Sequence, residues 1–130
     1  MDDCVFCKIV KGEMSCHKIY EDDNFLAFLD IKPLNPGTSL LIPKTHYRWV
    51  YDVPNFGQYW EIAKKIALKT ISTVDADSIS FLTLGYEVPH AHIRIIPRFK
   101  NDAHTEGIDI NHVIKQTSEE MAEIAAKIKL

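Results

Sequence analysis

The spacing of the short β-prone runs is the tightest constraint on the fold. Residues 17–21 and 25–30 are rich in Tyr, Ile and Phe and are separated only by Asp22-Asp23-Asn24. Three polar residues make a turn, and a turn that short joins strands antiparallel, because a parallel crossover needs a dozen or more residues. Residues 32–37, with two prolines, an asparagine and a glycine, read as a loop, and 38–42 as a buried strand ended by Pro43. Two more strand candidates lie at 79–84 and 91–97. Between the third and fourth candidates, Tyr59, Ile62, Ala63, Ile66, Ala67 and Ile71 recur at helical spacing with Lys64, Lys65 and Lys69 opposite, which predicts a long helix over 56–73. Residues 110–130 repeat that periodicity through Val113, Ile114, Met121, Ile124, Ala125 and Ile128, and 4–11 read as a short helix or turn stopped by Gly12. The pattern predicts an α+β fold: a five-stranded antiparallel sheet, one long helix packed on it, and a C-terminal helix. No repeat or linker divides the chain, so one domain over residues 1–130 is expected.

Composition narrows the partners. The net charge is −3 and the 15 Lys and Arg are scattered, so a nucleic-acid duplex is not the expected partner. No apolar run approaches the ~20 residues of a membrane span, and Met1-Asp2-Asp3-Cys4 is acidic where an export signal is basic and then apolar. A cytoplasmic protein is expected, in which three cysteines stay reduced and serve chemistry or metal binding.

The segment Pro89-His90-Ala91-His92-Ile93-Arg94-Ile95-Ile96-Pro97-Arg98 carries the most chemistry. Side chains alternate along a strand, so His90, His92 and Arg94 share one face, about 6.5–7 Å apart, while Ala91, Ile93 and Ile95 face a core. A neutral imidazole can attack phosphorus and a guanidinium can grip phosphate oxygens. Spacing alone fits polar surface, metal binding or catalysis. Cys4-Val5-Phe6-Cys7 likewise fits a zinc pair, a redox pair or two buried thiols, although no βαβ unit follows as redox motifs of the thioredoxin kind require. Cys16 has no spacing that ties it to the pair and reads as core or surface.

Taken in order, Cys4-Val5-Phe6-Cys7-Lys8-Ile9, Ile19-Tyr20-Glu21-Asp22, Phe28-Leu29-Asp30-Ile31, Ile42-Pro43-Lys44-Thr45-His46 and the segment from Pro89 to Arg98 resemble the histidine-triad (HIT) superfamily over residues 4–100. The helical extension over about 108–130 lies outside the likeness. The resemblance implies a HIT-like homodimer that binds a purine nucleotide or nucleotide conjugate. It implies His92 as the nucleophile that forms a nucleotidyl-histidine. It implies structural zinc held by Cys4, Cys7, His46 and His90, and ribose hydroxyls bound by Asp30. Phe6, Ile9, Phe28 and Ile31 would sandwich the base, with Glu87, Val88 and Arg94 also touching the nucleotide.

Two positions depart from the family pattern. Arg94 stands where a third His is usual; arginine stabilises phosphate charge but cannot give up a proton. Reactions with a good leaving group tolerate that exchange, whereas expulsion of an amine loses a general acid. Glu87 replaces a phosphate-contacting serine, and a carboxylate there is expected to turn away, towards Arg94 or Arg98. Three readings follow: a nucleotide hydrolase or transferase, a nucleotide-binding regulatory module with little turnover, and a zinc-stabilised scaffold without ligand.

Overall fold

A computed structural model describes residues 3–130; Met1 and Asp2, half of the acidic opening, lie outside the described residues. Helix α1 spans Val5–Val10, capped by the Cys4 side chain, which accepts from the Cys7 N–H. Gly12 follows at φ +79°, a left-handed conformation that favours glycine and stops the helix. Strands β1 (Lys18–Glu21) and β2 (Phe25–Leu29) form the expected hairpin. Its turn is held by Asp22, whose Oδ1 accepts from the N–H groups of Asn24 and Phe25 at 2.8 and 2.7 Å.

Strand β3 is Ser39–Pro43, helix α2 Phe56–Val74, β4 Ser78–Leu82 and β5 Ile93–Arg98. The sheet runs β1-β2-β3-β5-β4 with every neighbouring pair antiparallel. Helix α2 thus carries the chain from β3 to the edge strand β4, and β5 returns between them. Gly37, at φ +90°, sets the turn into β3, and a Cβ there would come within 3.3 Å of Pro97 and Val74.

The sheet is covered on both faces, so β2 and β3 are buried along their whole length and show no polar alternation. One face, with Phe25, Ala27, Leu29, Leu41, Ile93 and Ile95, packs against α2 and the C-terminal helix. There Tyr59 stacks on Phe25 at 5.1 Å and donates its hydroxyl to the Leu41 carbonyl at 3.0 Å. The other face, with Leu26, Phe28, Leu40 and Ile42, receives α1 through Cys4 and Phe6. Among the described residues no helix is long and apolar enough to cross a membrane.

Three expected boundaries move. Strand β4, expected over 79–84, is Ser78–Leu82, because its ladder with β5 ends at the pair Leu82 and Arg94. The C-terminal helix α3 is Ser118–Ile128, not a helix from 110: Thr117 and Glu120 cap it reciprocally, and 110–114 has its own path, with the Ile114 N–H donating to the Pro33 carbonyl at 2.9 Å. Strand β5 starts at Ile93 instead of Ala91, because its ladder with β3 ends at the pair Leu41 and Ile93. Beyond that pair Pro43 has no N–H to give and its carbonyl is taken by the His90 ring, while the Ala91 N–H turns to the Tyr47 carbonyl at 2.7 Å.

Candidate functional site

The segment ahead of β5 keeps the strand-like alternation. Ala91, Ile93 and Ile95 enter the main core, and His90 and His92 both stand edge-on to the ring of Phe6, at 5.8 and 5.4 Å. His90 is fully buried and donates from Nε2 to the Pro43 carbonyl at 2.8 Å. Its Nδ1 lone pair therefore faces the Sγ atoms of Cys4 and Cys7, at 3.4 and 3.5 Å, and His46 Nδ1 lies 3.3 Å from the Cys7 sulfur. The four donor atoms of Cys4, Cys7, His46 and His90 lie within 4.8 Å of one another and could hold a metal ion. Burial, against the Pro43 carbonyl, brings the His90 pKa down to about 4, and burial together with the Cys4 thiol pushes Cys7 up to about 11. Two soft sulfurs and two imidazoles are the donor set of a closed structural site.

His92 follows this cluster two residues along the chain. Its Nδ1 donates to the His90 carbonyl at 2.8 Å, which leaves Nε2 as the nitrogen carrying the lone pair. Burial lowers its pKa, Arg94 adds to the lowering, and the carbonyls of His90 and Leu84 with Asp30 oppose it. The ring borders a cleft of about 580 Å³. Phe6, Ile9, Phe28, Asp30, Ile31, Glu87, Val88 and Arg94, all expected from the sequence to touch one ligand, share that wall.

Asp30 and Arg94 are paired. Arg94 Nε donates to Asp30 Oδ2 at 2.8 Å and Nη2 to the Lys32 carbonyl at 3.0 Å, while Asp30 Oδ1 accepts from the Lys32 N–H at 2.9 Å. Burial raises the Asp30 pKa even though Arg94 and the hydrogen bonds pull it down. Glu87 does not reach Arg94 or Arg98 as expected. It lies 3.7 Å from Lys32 Nζ with both side chains exposed, because Arg94 is taken by Asp30 and Arg98 by Asp102. The cleft is also lined by residues that the sequence did not point to, among them Met14, Cys16, Leu84, Tyr86, Ile110, Asn111 and Val113. Gly85 lies between two of them, and a Cβ there would sit 3.1 Å from the Trp49 ring.

A HIT domain profile matches residues 11–101. The chain belongs to the HIT domain family. An uncharacterized HIT-like protein of Borreliella burgdorferi is 43% identical over 111 residues, 78% of this chain and 80% of that protein. The adenylylsulfatase HINT3 of Arabidopsis thaliana is 41% identical over 109 residues, 78% of this chain and 55% of that longer protein. Among solved structures, a HIT-like protein of Bartonella henselae described as involved in cell-cycle regulation superimposes with a TM-score of 0.86 at 30% identity, covering 98% of this chain and 95% of that one. A zinc-bound histidine-triad family protein of Mycobacterium smegmatis superimposes at 0.76 and 29% identity, covering 98% and 94%. The five-stranded antiparallel sheet with its helices is therefore the HIT fold, and its relatives include an adenylylsulfatase and an adenosine 5'-monophosphoramidase.

Proposed function

We propose that this HIT protein is a nucleotide hydrolase or nucleotidyltransferase that acts on a nucleoside phosphate ester, anhydride or phosphoramidate through a covalent nucleotidyl-His92. The observation that carries this reading is the His92 ring, bound through Nδ1 to the His90 carbonyl on the wall of a cleft large enough for a nucleotide. In the first step the Nε2 lone pair forms a bond to phosphorus while the bond to the leaving group breaks. In the second, water attacks phosphorus, the P–N bond breaks and the imidazole is released neutral, the water's proton passing to solvent. Asp30 accepts from the ribose hydroxyls with lone pairs left over from Arg94 and Lys32. Phe6, Ile9, Phe28 and Ile31 hold the base, and Glu87 and Val88 border the phosphates.

Arg94 stands at the third position of the triad. Sulfate or phosphate departs as a stable anion and needs no proton, whereas an amine does, and Arg94 has none to give. The adenylylsulfatase relative fits a substrate of the first kind. Cys4, Cys7, His46 and His90 would hold zinc, which cross-links α1 to the loop after β3 and to the segment before β5. The zinc-bound mycobacterial relative supports that choice of metal. The protein is read as one cytoplasmic domain that pairs as a homodimer. Edge strand β4 offers such a surface, with Phe81 half-exposed against Trp60 at 5.5 Å.

The test is steady-state turnover across adenosine and guanosine phosphoramidates, dinucleoside polyphosphates and adenylyl sulfate. His92→Ala is expected to lower kcat/KM on the best substrate by about 10⁴-fold or more, as loss of a nucleophile does; unchanged turnover refutes the role. The engagement of Arg94 with Asp30 favours a second reading, a nucleotide-binding regulatory module. It predicts tight AMP or ADP binding without turnover of any substrate in that panel.

A further inference from the structure

The part of the cleft wall that the family match does not reach has a chemistry of its own. Residues 109–113 lie beyond residue 101, where the HIT match ends, yet Ile110, Asn111 and Val113 line the cleft. This segment is strapped down at both ends. His104, buried, donates from Nε2 to the Leu34 carbonyl at 2.8 Å and accepts at Nδ1 from the Asp109 N–H at 3.0 Å; beyond the segment, the Ile114 N–H donates to the Pro33 carbonyl at 2.9 Å. The Asn111 N–H donates to the nearby Asp109 Oδ1 at 3.0 Å, and among the described residues its exposed side-chain amide makes no hydrogen bond. Ile110 and Val113 stay 46% and 41% exposed on the cleft wall, apolar area that a flat ligand would cover.

Asp30, Lys32, Glu87 and Arg94 are the charged side chains among the lining of the same cleft, alongside His92. Asn111, by contrast, is a neutral side chain with an acceptor and a donor side by side. That pair complements adenine, whose N7 accepts and whose N6 amino group donates; guanine presents two acceptors at the same edge and is matched by Arg or Lys instead.

Resting on the nucleotide reading above, we propose that residues 109–113 form the base-reading wall of the cleft, with Ile110 and Val113 against the base plane and Asn111 selecting adenine over guanine. The side-chain carbonyl of Asn111 accepts from N6 and its amide N–H donates to N7.

Calorimetric titration of the full chain with AMP and with GMP tests this. Wild type is expected to bind AMP about tenfold more tightly than GMP, the discrimination a bidentate amide typically gives. Asn111→Ala should weaken AMP about tenfold and GMP little, and Val113→Ser should weaken both by a similar factor. An unchanged AMP-to-GMP ratio in Asn111→Ala overturns the selectivity, and unchanged binding of both nucleotides to Val113→Ser overturns the wall. Either failure leaves the nucleotide reading standing. Wild type that binds neither nucleotide sinks that reading, and this proposal with it.

Discussion

Asp102 gathers five hydrogen bonds, from Arg98 Nε and Nη2, Asn35 Nδ2 and the N–H groups of Phe99 and His104. Arg98 first, and the other donors after it, hold its carboxyl well below its ordinary value of 3.8. A group depressed in the folded state adds stability above its ordinary pKa and loses it as the pH falls through the folded value. Asp102→Asn should therefore cost roughly 2–4 kcal/mol at pH 7 in urea unfolding, with the gap to wild type narrowing below about pH 4. A gap independent of pH contradicts the assignment. Arg94 makes the complementary prediction for chemistry. In Arg94→His, turnover of a phosphoramidate relative to adenylyl sulfate should rise by about 10² or more, because an imidazolium can protonate the departing amine. An unchanged ratio would show that the leaving group does not depend on this position.

The reciprocal cap of α3 by Thr117 and Glu120 is a local device with a local cost: Thr117→Ala should destabilise the protein by about 1 kcal/mol in urea unfolding without altering nucleotide binding. The same helix shows where the sequence was readable. The run Met121, Ile124, Ala125 and Ile128 marks it, but Val113 and Ile114 continue the apolar spacing, so the predicted start came too early and the capping pair Thr117 and Glu120 went unread. Periodicity records that residues are apolar, not whether they face a core or a ligand cleft. The hairpin, β3 and α2 were legible because turn polarity and helical spacing are local signals. The start of β5 was not, because it depends on Pro43 and the His90 ring meeting across 47 positions. In the site, the His90 and His92 face and the Cys4 and Cys7 pair were read from spacing and likeness. The closure of Arg94 onto Asp30 was hidden, since nothing local links residues 64 apart.

At the scale of the molecule, two cores meet on the sheet, and the smaller one couples the cluster of Cys4, Cys7, His46 and His90 to the cleft through Phe6, which touches Phe28, His90 and His92. His90 directs its ring at the sulfurs and its carbonyl at His92, so order in the cluster passes directly to the imidazole beside the cleft. Zinc should accordingly stabilise the fold by mass action. Chelation is expected to lower the Tm of wild type, while Cys4→Ser should contain no zinc by elemental analysis and show a Tm indifferent to chelator. Equal zinc content in both proteins would contradict the ligand set. Nucleophilic attack by His92 is tested most directly by trapping the covalent intermediate. After acid-free quenching of a single turnover with an α-labelled nucleotide, peptide mapping should find the nucleotidyl group on His92 and no label in His92→Ala. Label on another residue, or equal label in the variant, would contradict it.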